Sequence, residues 1–120
     1  MSDKLIVGIY HSAADAENAI SQLSSHGFPV SQLYVIAKDF ETDETTAKVV
    51  ENDDLKTWFE RHFGWLIGLK HLFKYNQHFR AGKFLLVASG TEDEIARAWG
   101  IIRETGYVEA DKHEEGEPEE

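Results

Sequence analysis

Histidine is the side chain best suited to bind a metal or move a proton near neutral pH, and three of the 6 in this chain, His62, His71 and His78, lie in one stretch. On a helix, His71 and His78 stand a heptad apart, about 10.5 Å along the axis, too far to share one ion. His62, nine residues before His71, falls on the opposite side. No His-x3-His or Glu-x-x-His pair occurs, so the spacing offers no metal site, and His62 reads as a core-edge or surface histidine. Ser24-Ser25-His26 sets hydroxyls beside an imidazole, but neighbours in a helix point apart. Carboxylates cluster where helix caps and a solvated tail account for them, and Gly8 and Gly90 fit no phosphate-cradling loop. Cysteine is absent, which removes disulfides, thiol nucleophiles and cysteine-based metal centres. No catalytic, cofactor-binding or metal-binding residue is assigned, and no cofactor is expected.

The stretch from Asp54 to Lys83 is set apart by composition. It holds 7 of the aromatic residues and 6 of the 12 Lys and Arg, against two carboxylates, Asp54 and Glu60. The remainder carries 6 cations and 20 anions, within a chain of net charge −10. Trp58, His62, Trp65, Leu69 and Leu72 fall along one side of a helix, broadened by Phe59, Phe63, Leu66 and Phe73. Lys56, Arg61, Lys70, Lys74 and Arg80 supply the other side. Three uses fit this pattern. The apolar side packs on another part of the fold or on a partner chain; or the helix lies at an anionic membrane surface; or its aromatics stack on single-stranded nucleic acid, which the overall acidity opposes. The candidate interaction surface is Trp58, Phe59, His62, Trp65, Lys70 and Lys74.

The flanking parts supply the frame. Lys4–Tyr10 is a continuous, β-branched apolar run, the pattern of a strand buried on both faces. Ser12 and Asp15 have capping spacing, Ala16, Ala19, Ile20 and Leu23 give a helix its apolar side, and Gly27 with Pro29 stops it. Leu33–Lys38 is a second strand. An acidic, threonine-rich loop is expected from Phe40 to Asp53. Lys83–Ser89 is another fully apolar strand, Thr91 and Glu94 repeat the capping pattern, and Gly106 is expected to end the following helix as Gly27 ends the first. Tyr107–Ala110 reads as a short edge strand. Residues 111–120, nearly devoid of apolar side chains, read as a disordered acidic tail.

A forward shift of 79 residues superimposes the halves: Val7 on Leu86, Ser12 on Thr91, Asp15 on Glu94, Ala19 on Ala98, Leu23 on Ile102 and Gly27 on Gly106. Two strand–helix–strand units of one design predict an α+β, ferredoxin-like split βαβ fold. Its four-stranded antiparallel sheet spans a single domain, residues 1–110, with a helical insertion at about 40–82. Both crossover helices must then lie on one face of the sheet. If Leu5, Val7 and Ile9 meet those helices, Ile6, Gly8 and Tyr10 face the other way and need cover from the aromatic segment, a second subunit or a ligand.

From Leu5 to Ala37 the chain resembles the bacterial general stress proteins of the heat-induced YflT type. The resemblance rests on Gly8, Tyr10, Ser12, Asp15, Ala16, Glu17, Ala19, Leu23, Gly27, Phe28 and Val35 to Ala37, with Gly82–Ala88 fitting the second half more loosely. It implies an α+β domain linked to stress responses and brings no catalytic residues. The aromatic and basic middle departs from the Gly- and Ala-rich middle of such proteins. The resulting expectation is a cytoplasmic, non-catalytic regulatory or protein-interaction module, homodimeric. The alternatives are a peripheral membrane-surface binder through residues 54–80, and a small dimeric α+β-barrel enzyme or ligand-binding protein with a pocket near Tyr10, Trp58 and His62.

Overall fold

A computed structural model describes residues 4–37, 48–50 and 69–114. The elements run β1 (Lys4–Tyr10), α1 (Ala13–Ser25), β2 (Leu33–Ile36), β3 (Lys48–Val50), α2 (Leu69–Arg80), β4 (Phe84–Gly90), α3 (Glu92–Ile102) and β5 (Glu109–Glu114). They form one five-stranded sheet in the order β3-β2-β4-β1-β5. All pairings are antiparallel except β2 with β3. The fold is therefore α+β, and the order β5-β1-β4-β2 is compatible with the ferredoxin-like arrangement, with the first strand of each repeat inside the sheet. β3 corrects the expectation of a loop throughout residues 40–53. The Val49-Val50 pair suits a strand, and pairing with β2 satisfies backbone groups that an open edge would leave bare.

Both faces of β1 and β4 are buried. On one, Ile6, Tyr10, Leu86 and Ala88 pack with Ala16, Ala19, Ile20 and Leu23 of α1 and Ile95, Ala98 and Ile102 of α3. On the other, Leu5, Val7, Ile9, Leu85 and Val87 meet Leu72, Tyr75 and Phe79 of α2. The helices thus sit on the even-numbered side of β1, the reverse of the orientation first considered. The cover for the odd-numbered side comes from the C-terminal part of the aromatic segment. Phe73, expected on the apolar side of that segment, is instead 67% exposed, because Leu72, Tyr75 and Phe79 define the buried stripe. Gly8 shares the helix-side face with Tyr10, whose ring lies over it: a Cβ at Gly8 would come within 3.1 Å of Tyr10 Cε1. The Tyr10 hydroxyl reaches Thr105 Oγ1 at 2.8 Å, tying β1 to the turn after α3.

The repeat is real but not of one register. β1 and β4 correspond at a shift of 80, whereas α1 and α3 correspond at 79. Two residues join β1 to α1, and only Thr91 joins β4 to α3. That single deletion explains why Val7 and Leu86, matched by the sequence repeat, face opposite sides of the sheet. The caps do match: Asp15 N donates to Ser12 Oγ at 3.2 Å, and Glu94 N donates to Thr91 Oγ1 at 3.3 Å. Gly27 and Gly82 take φ of 89° and 88° after α1 and α2, the left-handed cap that glycine adopts without penalty. Gly106 does not, and α3 ends instead at Ile102 with Arg103 as its cap.

The tail expectation is corrected too. β5 runs to Glu114 and begins at Glu109, later than the expected strand, so the acidic stretch is a strand through its first four residues; 115–120 lie outside the described residues. Charged side chains are common on an edge strand, and here one face of the strand packs while Lys112 on the other sits 5.3 Å from the Trp99 ring.

The α3 cap yields a prediction. Glu94 Oε1 accepts from Thr91 N at 3.0 Å and from Gln32 Nε2 at 3.2 Å. The backbone bond first, and the Gln32 contact next, hold the Glu94 carboxyl below its ordinary value of 4.5. A lowered carboxylate contributes stability above its unfolded value and loses it as pH falls through the folded one. Urea denaturation should therefore show Glu94→Gln less stable than wild type at pH 7, with the gap closing below about pH 4. Thr91→Ala should cost about 1 kcal/mol.

Candidate functional site

The densest group of polar and titratable side chains lies where α2 crosses the edge of the sheet. Leu72, Tyr75 and Phe79 point to the sheet at helical spacing, so His71, Lys74 and His78 fall beside them, toward β5. The register of β5 on β1 sets Glu109 against Ile9, Asp111 against Val7 and His113 against Leu5, which puts those three side chains on the α2 face. Helix and strand then match step by step. His78 Nε2 lies 3.1 Å from Glu109 Oε1. Lys74 Nζ donates to Glu109 Oε2 at 3.1 Å and to Asp111 Oδ2 at 2.8 Å. The Tyr75 hydroxyl is 3.2 Å from Asp111 Oδ2 and 2.7 Å from His113 Nε2. His71 meets the His113 ring edge to face, with centroids 4.6 Å apart.

This seam is drier than a surface ion-pair row. Tyr75 is fully buried and His113 is 2% exposed. Burial works against a charge on Lys74, but the hydrogen bonds it donates to Asp111 and Glu109 outweigh it and raise the ammonium above its ordinary 10.5. The stabilisation from that pairing is complete below the unfolded lysine value and lost as pH rises through the folded one, so it is intact at neutral pH. Chemically the arrangement is a hydrogen-bonded chain from imidazole through phenol to carboxylate to ammonium. Among the described residues, no group of three or more His, Asp or Glu side chains is arranged to hold a metal.

Of the sequence-derived surface, Lys70 and Lys74 are among the described residues. Trp58, Phe59, His62 and Trp65 lie outside the described residues. Lys70 is exposed on α2. Lys74, placed by the sequence on the solvated side of the segment, pairs with Glu109 and Asp111 of the acidic remainder. Asp111 and His113 were missed because their stretch lacks apolar residues. The available signal was alternation: Glu109, Asp111 and His113 recur every second residue, while His71, Lys74, Tyr75 and His78 recur at helical spacing, with opposite charges in complementary order.

A family profile described as heat induced stress protein YflT domain matches residues 5–101. The chain belongs to this family. The YflT match carries a stress-related role and spans β1 to α3, thereby including the α2 half of the seam but not β5. No curated protein and no solved structure matches the chain. Among the described residues of this YflT-family domain, no helix is long and apolar enough to cross a membrane.

Tyr75→Phe keeps the ring and removes the hydroxyl shared by Asp111 and His113. Loss of a buried hydrogen bond of this kind costs about 1–3 kcal/mol, so the urea midpoint should fall accordingly. A midpoint equal to wild type would mean that the seam adds nothing to stability.

Proposed function

We propose that this stress-family domain works without catalysis, as a regulatory interaction module that pairs with a second copy of itself through the outer side of α2. Phe73 carries the reading. It is 67% exposed on a helix whose inner residues Leu72, Tyr75 and Phe79 are at most 8% exposed. Lys70, Gln77 and Arg80, also exposed, share its outer stripe. An aromatic with a polar rim that includes Lys70 and Arg80 has the ordinary anatomy of a contact surface, and the acidic remainder of an identical chain supplies the opposite charge. Tyr10, once a candidate pocket residue, supports the non-catalytic reading because its ring is in the helix-side core and its hydroxyl is bonded to Thr105.

Light scattering on a size-exclusion column should give a dimer at micromolar concentration, and Phe73→Glu should give a monomer with an unchanged circular dichroism spectrum. A wild-type monomer would sink the pairing. The same stripe is the described part of the membrane-surface alternative. Flotation with anionic vesicles, abolished by Lys70→Glu, would favour that alternative instead.

A further inference from the structure

We propose that Trp99, Arg103 and Lys112 form a docking site for an acidic segment of another protein, on the opposite face of the sheet from α2. Trp99 is half-buried on α3 and packs against the core that α3 shares with α1. Arg103, one helical turn further on, holds its guanidinium carbon 5.9 Å from the centre of the Trp99 ring. Lys112 reaches the same ring from β5, with Nζ 5.3 Å from its centre. Both cations are exposed. The two faces of β5 differ in how charge is met. Toward α2, Glu109 and Asp111 pair with Lys74 and His78. Toward α3, Lys112 meets an indole that already carries a cation. Among the described residues, neither Arg103 nor Lys112 forms an ion pair with a carboxylate.

In a chain of net charge −10, two such cations on one ring run against the composition. The ring attracts each of them but neutralises neither, and like charges brought to one place repel. An incoming carboxylate relieves that repulsion, and an apolar neighbour of the carboxylate covers the exposed part of the indole. Tryptophan and arginine are the residue types in which binding energy concentrates at protein contacts. A small free anion would use the cations and leave the ring idle, so the combination favours a peptide segment. Fields of exposed charges are screened beyond about 8 Å at physiological salt. The partner therefore meets the local pair rather than the acidic surface further off. Arg103 and Lys112 both lie beyond residue 101, where the stress-family match ends, so the charges of the site come from outside that match. The site shares no residue with the outer stripe of α2 and stands independently of the self-pairing proposed for it.

Titration of the full chain with the end-blocked peptide Glu-Glu-Leu-Glu-Glu at physiological salt, followed by proton–nitrogen NMR, tests this. The Trp99 indole N–H, identified by its loss in Trp99→Phe, should shift together with the backbone amides of Arg103 and Lys112. Arg103→Gln and Lys112→Gln should each weaken binding about fivefold. Lys70→Gln, at an exposed cation on the α2 side, should leave it unchanged. No shift in wild type overturns the proposal, and so does an equal weakening by Lys70→Gln, the mark of general charge attraction. Inorganic phosphate giving the same shifts at equal concentration would make this a site for small anions and overturn it too. The same resonances shifting when the protein alone is concentrated would assign the surface to a second copy, against the proposal. Should a Gln variant fail to fold, the wild-type titration decides, since shifts confined to elements other than α3 and β5 rule the site out.

Discussion

A strand that is apolar on both faces imposes a demand that its own repeat unit cannot meet. β1 and β4 present Ile6, Tyr10, Leu86 and Ala88 to one side and Leu5, Val7, Ile9, Leu85 and Val87 to the other. Right-handed crossovers send α1 and α3 to the same side, so a third helix has to arrive from elsewhere in the chain. α2 does so through Leu72, Tyr75 and Phe79, and every polar contact described on that side follows from where it must lie. Burying each such side chain contributes about 1.5–3 kcal/mol, which makes the insertion part of the core.

Placing α2 over the sheet also fixes the fate of β5. An edge strand made of Glu, Ala, Asp, Lys, His and Glu has little hydrophobic reason to join a sheet. It joins because Lys74, Tyr75, His78 and His71 give its odd-numbered side chains partners, while Lys112 rests against the Trp99 ring on the opposite face. The seam exchanges apolar burial for matched polar contacts, a trade that holds only if every buried member is satisfied. Among the described residues, no buried side-chain nitrogen or oxygen lacks a partner.

Much of this was legible in the residues. The apolar runs of β1 and β4, the caps at Ser12 and Thr91 and the need for a second cover are consequences of local pattern and counting. Orientation was not legible, because a strand apolar on both sides has no alternation to show which side meets the helices. One residue fewer between β4 and α3 than between β1 and α1 then inverted the apparent Val7–Leu86 match. The extension of β5 through residues 111–114 was hidden for a different reason: its partners are polar and lie some 35 residues away in sequence, as Tyr75 does from His113. Hydropathy cannot report a strand whose place is set by charge order on a helix elsewhere.

The span shared with the stress family closes at residue 101, inside α3, whereas the sheet does not finish until Glu114. A chain trimmed to the recognised span would keep both crossover helices, yet it would strip β1 of one of its two neighbours and leave Lys74 and Tyr75 without their strand partners. The boundary of kinship and the far edge of the sheet are thus different lines, separated by one acidic ribbon.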